Sequence, residues 1–188
     1  MIRSAHSRVL GSAETVAKAR ADAGRRRCGV SPNDQHGDSM VQPSTLLSAI
    51  PHRPPFLFVD EVIEIEARRI VTKTYVHPAA DFFRGHYPGR PVMPGVLLCE
   101  CCFQAGALLI VHHKGGWDWS DGMPVLARIS DARFKHMVLP GQTIFAEVTL
   151  DDELERAYML SGQVTVEDKV AVRVSFSCML AGGKDETR

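Results

Sequence analysis

The chain has 188 residues, with 22 Lys and Arg against 22 Asp and Glu, 45% hydrophobic and 23% charged residues. That is the composition of an ordinary globular protein, one domain or one domain with a tail. A formal net charge of zero excludes whole-molecule attraction to nucleic acid, which needs a basic excess to neutralise phosphates.

The zero is a sum of unlike parts. Residues 1–40 hold seven basic side chains (Arg3, Arg8, Lys18, Arg20, Arg25, Arg26, Arg27) and four acidic ones (Glu14, Asp22, Asp34, Asp38), so the rest of the chain carries the compensating acidic excess. This opening has no Phe, Tyr or Trp and no sustained apolar periodicity. It cannot bury enough surface to offset ordering entropy and reads as a mobile extension. It lacks an apolar run of signal-peptide length, its Arg and Ser content mimics a transit peptide, and Met40 is an alternative start.

From residue 41 the pattern becomes orderly and predicts one domain over 41–182, with a polar tail at 183–188. Ser44 to Ile50 predicts a short helix, stopped by Pro51-His52-Arg53-Pro54-Pro55. Phe58 to Glu66 and Arg69 to His77 alternate apolar and polar residues around Ala67-Arg68 and predict a β-hairpin. Residues 78–95 hold four prolines and three glycines. That density excludes helix or central strand and predicts a long, stiff, functional loop.

Val96 to His113 is an apolar run without proline, enough for a helix of about five turns. It is apolar nearly all round and should be buried on most sides. Glu100 and Gln104 within it argue against a membrane span. Gly115 to Gly122 reads as a loop. Strand patterns follow at Val125 to Ser130, Thr143 to Asp151, Tyr158 to Val166 and Val170 to Leu180, the last two joined at Glu167-Asp168. The predicted class is α+β, a sheet wrapped over one long helix.

The five cysteines (Cys28, Cys99, Cys101, Cys102, Cys178) are an odd number, three of them within four residues. That is no secreted disulfide framework, and Cys99-x-x-Cys102 lacks the second ligand pair that zinc requires. Reduced thiols buried in a cytoplasmic protein are the expectation, with no metal site.

Chemistry concentrates around the Pro/Gly loop. His86 stands between rigid segments, and a positioned neutral imidazole is a natural general base. Glu100, fourteen residues on, is the conspicuous acid on an apolar helix. Gln104 lies one turn further along the same face and can hydrogen-bond it. The start of the helix leaves the Gly95 and Val96 amides without intrahelical acceptors, a place where a developing negative oxygen is stabilised. Base, acid and oxyanion donor together suit proton abstraction next to a carbonyl with loss or addition of a group at the β carbon.

The run His86-Tyr87-Pro88-Gly89-Arg90-Pro91-Val92-Met93-Pro94-Gly95-Val96, followed by Glu100 and Gln104, resembles the β-hydroxyacyl-acyl carrier protein dehydratases of FabZ type. Ile50-Pro51-His52-Arg53-Pro54-Pro55-Phe56-Leu57 is similar to that family's opening segment, and Ile129 to Gly141 to a later one; the likeness covers roughly residues 45–181. It implies a hotdog fold, an antiparallel sheet wrapped around a central helix. It also implies a homodimer or trimer of dimers whose sites lie at the dimer interface.

The implied reaction is dehydration of a (3R)-3-hydroxyacyl thioester to the trans-2-enoyl thioester in fatty acid synthesis. His86 is then the base at C2, Glu100 the acid or water-holder at the C3 hydroxyl, Gln104 and Tyr87 their support, and the Gly95 amide the donor to the thioester oxygen. Phe103, Val96 and Met93 line the acyl tunnel, and Arg128, Arg133 and Lys135 meet the carrier protein or its pantetheine phosphate. No metal or dissociable cofactor is implied, because the acyl chain arrives on phosphopantetheine. Phe103 stands where the family commonly has a small residue, which bears on chain length, and Glu100 rather than Asp argues against an isomerase branch. Rival readings are a hotdog thioesterase, a coenzyme A-linked hydratase and a non-catalytic acyl-binding partner.

Overall fold

The computed structural model describes residues 46–116 and 122–182. The expected extension (1–40), the tail (183–188), the start of the Ser44 to Ile50 helix and part of the Gly115 to Gly122 loop lie outside the described residues.

Strands β1 (Glu61–Glu66) and β2 (Arg69–Tyr75) form the expected hairpin about Ala67-Arg68. After the Pro/Gly loop come helix α1 (Gly95–His113) and strands β3 (Met123–Phe134), β4 (Thr143–Leu154), β5 (Ala157–Val166) and β6 (Lys169–Ala181). The six strands among the described residues join one antiparallel sheet in the order β1-β2-β4-β5-β6-β3. The β5–β6 turn falls at Glu167 and Asp168, both with positive φ (47° and 60°), the backbone of a tight two-residue hairpin.

The period-two residues face inward: Ile144, Ala146, Val148 and Leu150 of β4, and Val172, Val174, Phe176 and Cys178 of β6, are all buried. They close over α1, whose Cys101, Cys102, Ala105, Leu108, Leu109 and Ile110 have no exposed surface. Each larger aliphatic side chain so buried contributes about 1.5–3 kcal/mol. Two glycines permit the close seating. A Cβ at Gly106 of α1 would lie 3.0 Å from the Phe176 ring, and one at Gly162 of β5 would lie 3.1 Å from Cys102 Sγ. By length and composition α1 could cross a membrane, but 67% of its apolar window is buried inside the chain, as in a core helix.

The structure departs from the sequence reading in three places. The Pro/Gly loop contains a 3-10 helix, Asp81–Arg84, where no helix was expected. The stretch between Pro78 and Pro88 is free of proline, and Phe83 anchors the turn by burial. Pro94, which the sequence suggests would pre-set the first turn of α1, instead precedes that turn in an extended conformation (ψ 132°). Finally, β3 and β4 are longer than expected. Register shifts at Leu126/Arg128 and Ile129/Asp131 in β3, and at Leu150/Asp152 in β4, interrupt the alternation that period counting relies on.

Strand β3 forms one edge of the sheet and is mostly exposed, with Met123, Leu126, Ile129 and Phe134 at 40–55% exposure. An apolar open edge is the kind of surface that proteins normally cover.

Candidate active site

The backbone at His86 is tied on both sides: its amide donates to the Phe82 carbonyl (3.0 Å), and its carbonyl accepts the Val92 amide (3.1 Å). Downstream, the Met93 amide donates to the Val138 carbonyl (2.8 Å). The imidazole is fixed in turn, because its Nδ1 lies 2.8 Å from the Val92 carbonyl oxygen. A carbonyl can only accept, so Nδ1 carries the hydrogen and the lone pair of a neutral ring falls on Nε2. The ring of Tyr87 stacks on it at 4.0 Å and is itself 55% exposed.

At the start of α1 a Cβ on Gly95 would lie 2.8 Å from the Phe134 ring. Phe134 of β3 thus packs against the bare Cα at the helix N-terminus, where the first amides have no intrahelical acceptors.

One turn further in, Glu100 Oε1 accepts from Gln104 Nε2 (2.9 Å), as the spacing predicted. Gln104 is buried and held at its other positions, with Oε1 accepting the Phe58 amide (2.8 Å) and Nε2 also donating to the Phe56 carbonyl (3.0 Å). Glu100 borders a cavity of about 360 Å³, walled by Ile50, Phe56, Phe103, Ala107 and Val111, by Met123 to Leu126 of β3, and by Cys178. His52 is a further lining residue, its Nε2 3.6 Å from Glu100 Oε1. The sequence reading had not singled out this histidine for a role. Its signal was its place in a proline-stiffened segment, but the contact spans 48 positions.

The other expected residues divide. Phe103 lines the cavity and packs edge-on against Phe176 (4.8 Å). Met93 and Val96 do not line it: Met93 is a core residue at 3% exposure, and Val96 projects outward from the first turn at 71%. Within one chain, therefore, they form no tunnel wall with Phe103. Arg128 and Arg133 lie opposite Ser177 and Arg173 of β6, whereas Leu126 and Ile129 lie opposite the inward Cys178 and Phe176. Arg133 and Lys135 border an outer-face groove of about 410 Å³ together with Arg173, Asp131 and Glu147, away from the Glu100 cavity. His86 does not line that cavity, and among the described residues no hydrogen bond or ion pair joins it to Glu100.

The described cysteines are all buried, and burial pushes the thiols of Cys99, Cys101 and Cys102 up. Cys178 is pushed up to about 12, by burial and then by the nearby Glu100 charge. This is opposite to the shift that makes a C-x-x-C pair reactive.

A sheet closed over a single buried helix, with an imidazole and a carboxyl as its chemical groups, is a hotdog-fold frame carrying acid/base residues. The dehydratase heterocomplex ApeI:P from Xenorhabdus doucetiae shares the fold, with a TM-score of 0.60 over 75% of this chain and 92% of that one at 15% identity. Residues 50–175 match the FabA-like domain. The chain is 41% identical over 132 residues to the 3-hydroxyacyl-[acyl-carrier-protein] dehydratase FabZ of Herpetosiphon aurantiacus, covering 70% of this chain and 92% of that protein. To the protein of the same name from Anaeromyxobacter dehalogenans it is 40% identical over 133 residues, covering 70% and 85%. The chain belongs to the FabA-like family and is a dehydratase of FabZ type, a hydro-lyase. The resemblance read from the His86 loop and the hotdog fold it implied both hold.

Proposed function

We propose that this dehydratase removes water from a (3R)-3-hydroxyacyl chain carried on the phosphopantetheine of an acyl carrier protein, yielding the trans-2-enoyl thioester for fatty acid biosynthesis. His86 Nε2 takes the C2 proton, and the electron pair left behind forms the new double bond. Glu100 gives its proton to the C3 hydroxyl, which departs as water. The Gly95 amide holds the thioester oxygen as charge develops there. No cofactor enters the balance, since one proton is gained by His86 and one lost by Glu100. The enzyme works in the cytoplasm, with Tyr87 and Gln104 in support and Arg128, Arg133 and Lys135 offered to the acidic carrier.

The observation that carries the reading is the pairing of a histidine whose Nε2 is left as acceptor with a carboxyl bordering a largely apolar cavity. Because His86 stands apart from that cavity in its own chain, we assign the two groups of each site to different subunits of a homodimer, which can assemble further as a trimer of dimers. The open apolar edge of β3, which also supplies one wall of the cavity, supports this arrangement.

Loss of the conjugated enoyl absorbance on hydration, or its gain on dehydration, reports the reaction with carrier-protein and coenzyme A thioesters of several lengths. His86→Ala and Glu100→Gln should each cost at least roughly 100-fold in kcat. Unchanged rates in both would sink the assignment. Mixed dimers of the two variants should regain about half of the wild-type activity, since a two-fold interface leaves one of two sites intact. A site built within one chain would regain none.

A further inference from the structure

We infer that His52 is a positioning residue for Glu100, holding the carboxylate that remains once the acid has given up its proton. The inference rests on the dehydratase reading above and adds to it a residue from a different segment of the chain.

The Gln104 amide is fully committed: Oε1 accepts from Phe58, and the two Nε2 hydrogens go to Phe56 O and Glu100 Oε1. Glu100 Oε1 is thereby marked as the accepting oxygen, and Oε2 is left to carry the proton. His52 Nε2 approaches that same Oε1 at 3.6 Å. Its ring lies nearly parallel to that of Phe56, at 6.4 Å and 21°, and its Nδ1 is shut off from solvent with no hydrogen-bond partner. Among the described residues Glu100 is the polar partner of this imidazole. A polar ring with an unsatisfied nitrogen weakens a fold, so local stability does not account for it.

Transfer of the proton does account for it. The Oε2–H bond breaks, the proton joins the C3 oxygen, the C3–O bond breaks, and water leaves. A carboxylate is then stranded in a cavity whose remaining walls are largely apolar. Gln104 supplies one N–H to it, and His52 Nε2, 3.6 Å from the same oxygen, needs to close by only a few tenths of an ångström to supply a second. The His52 side chain is 28% exposed and that of Glu100 18%, so water compensates only in part.

Two variants separate a donor from a filler. His52→Leu keeps bulk and removes the N–H, whereas His52→Gln keeps an N–H close to the Nε2 position. In the enoyl absorbance assay His52→Leu should lower kcat by roughly 10- to 100-fold, the value of one hydrogen bond to a charged group, with KM unchanged. His52→Gln should retain most of the wild-type kcat. Wild-type kcat in His52→Leu overturns the inference, and so does an equal fall in both variants. A wild-type protein without dehydratase activity would instead overturn the underlying reading. The pairing is then judged by nitrogen NMR, where Glu100→Gln should move the His52 ring resonances; unmoved resonances overturn it.

Discussion

The Val92 carbonyl leaves Nε2 of His86 as the accepting nitrogen of the neutral ring, and Gln104 engages Oε1 of Glu100 and leaves Oε2 free of it. Neither assignment was legible in the sequence, although both residues were. The motif spacing showed that His86 sits on a stiff loop and that Gln104 shares a helix face with Glu100. The backbone partners of Gln104, at Phe56 and Phe58, lie more than forty positions upstream and are set by packing alone. His52 was missed for the same reason. At this scale the cysteines also give a test. Burial holds Cys101, Cys102 and Cys178 as thiols, and the thiolate is the reactive form. Alkylation of the native protein in mildly alkaline buffer should leave these three unlabelled in peptide mass spectrometry, while the unfolded protein labels at all of them.

Local elements were read well where one rule governed them. The β1–β2 hairpin, α1 and the tight β5–β6 turn follow from alternation, an unbroken apolar run and a two-residue gap. The ends of β3 and β4 were not readable, because a bulge shifts the inward set by one residue and period counting stops there. The seating of α1 depends on what the sequence showed only as isolated glycines. At Gly162 there is no room for a branched side chain beneath Cys102 and Val148. Gly162→Val should therefore cost about 1–3 kcal/mol by overpacking, read as a lower denaturant midpoint with an unchanged slope. A larger effect on activity than on stability would show that the register of α1, and with it the placement of Glu100, had moved.

At the scale of the whole molecule, sheet order was hidden from a linear reading, since β3 pairs with β6 across two intervening strands. That order leaves β3 at an edge with its apolar residues uncovered. Ile129→Lys places a charge in the middle of the proposed contact between subunits. It should yield a folded monomer by light scattering, with dehydratase activity lost along with the partner. An active monomer would show that one chain completes its own site.

The position of β3 also has a consequence in time. Met123 to Leu126 wall the Glu100 cavity, yet the strand they pair with, Lys169–Ala181, is the last of the described strands to be synthesised. Until it emerges from the ribosome, the nascent chain holds His86, Glu100 and an unpaired apolar strand, but not the closed cavity that Glu100 borders. The cavity wall is thus complete only when this strand docks, and shielding from aggregation is needed most in the interval before.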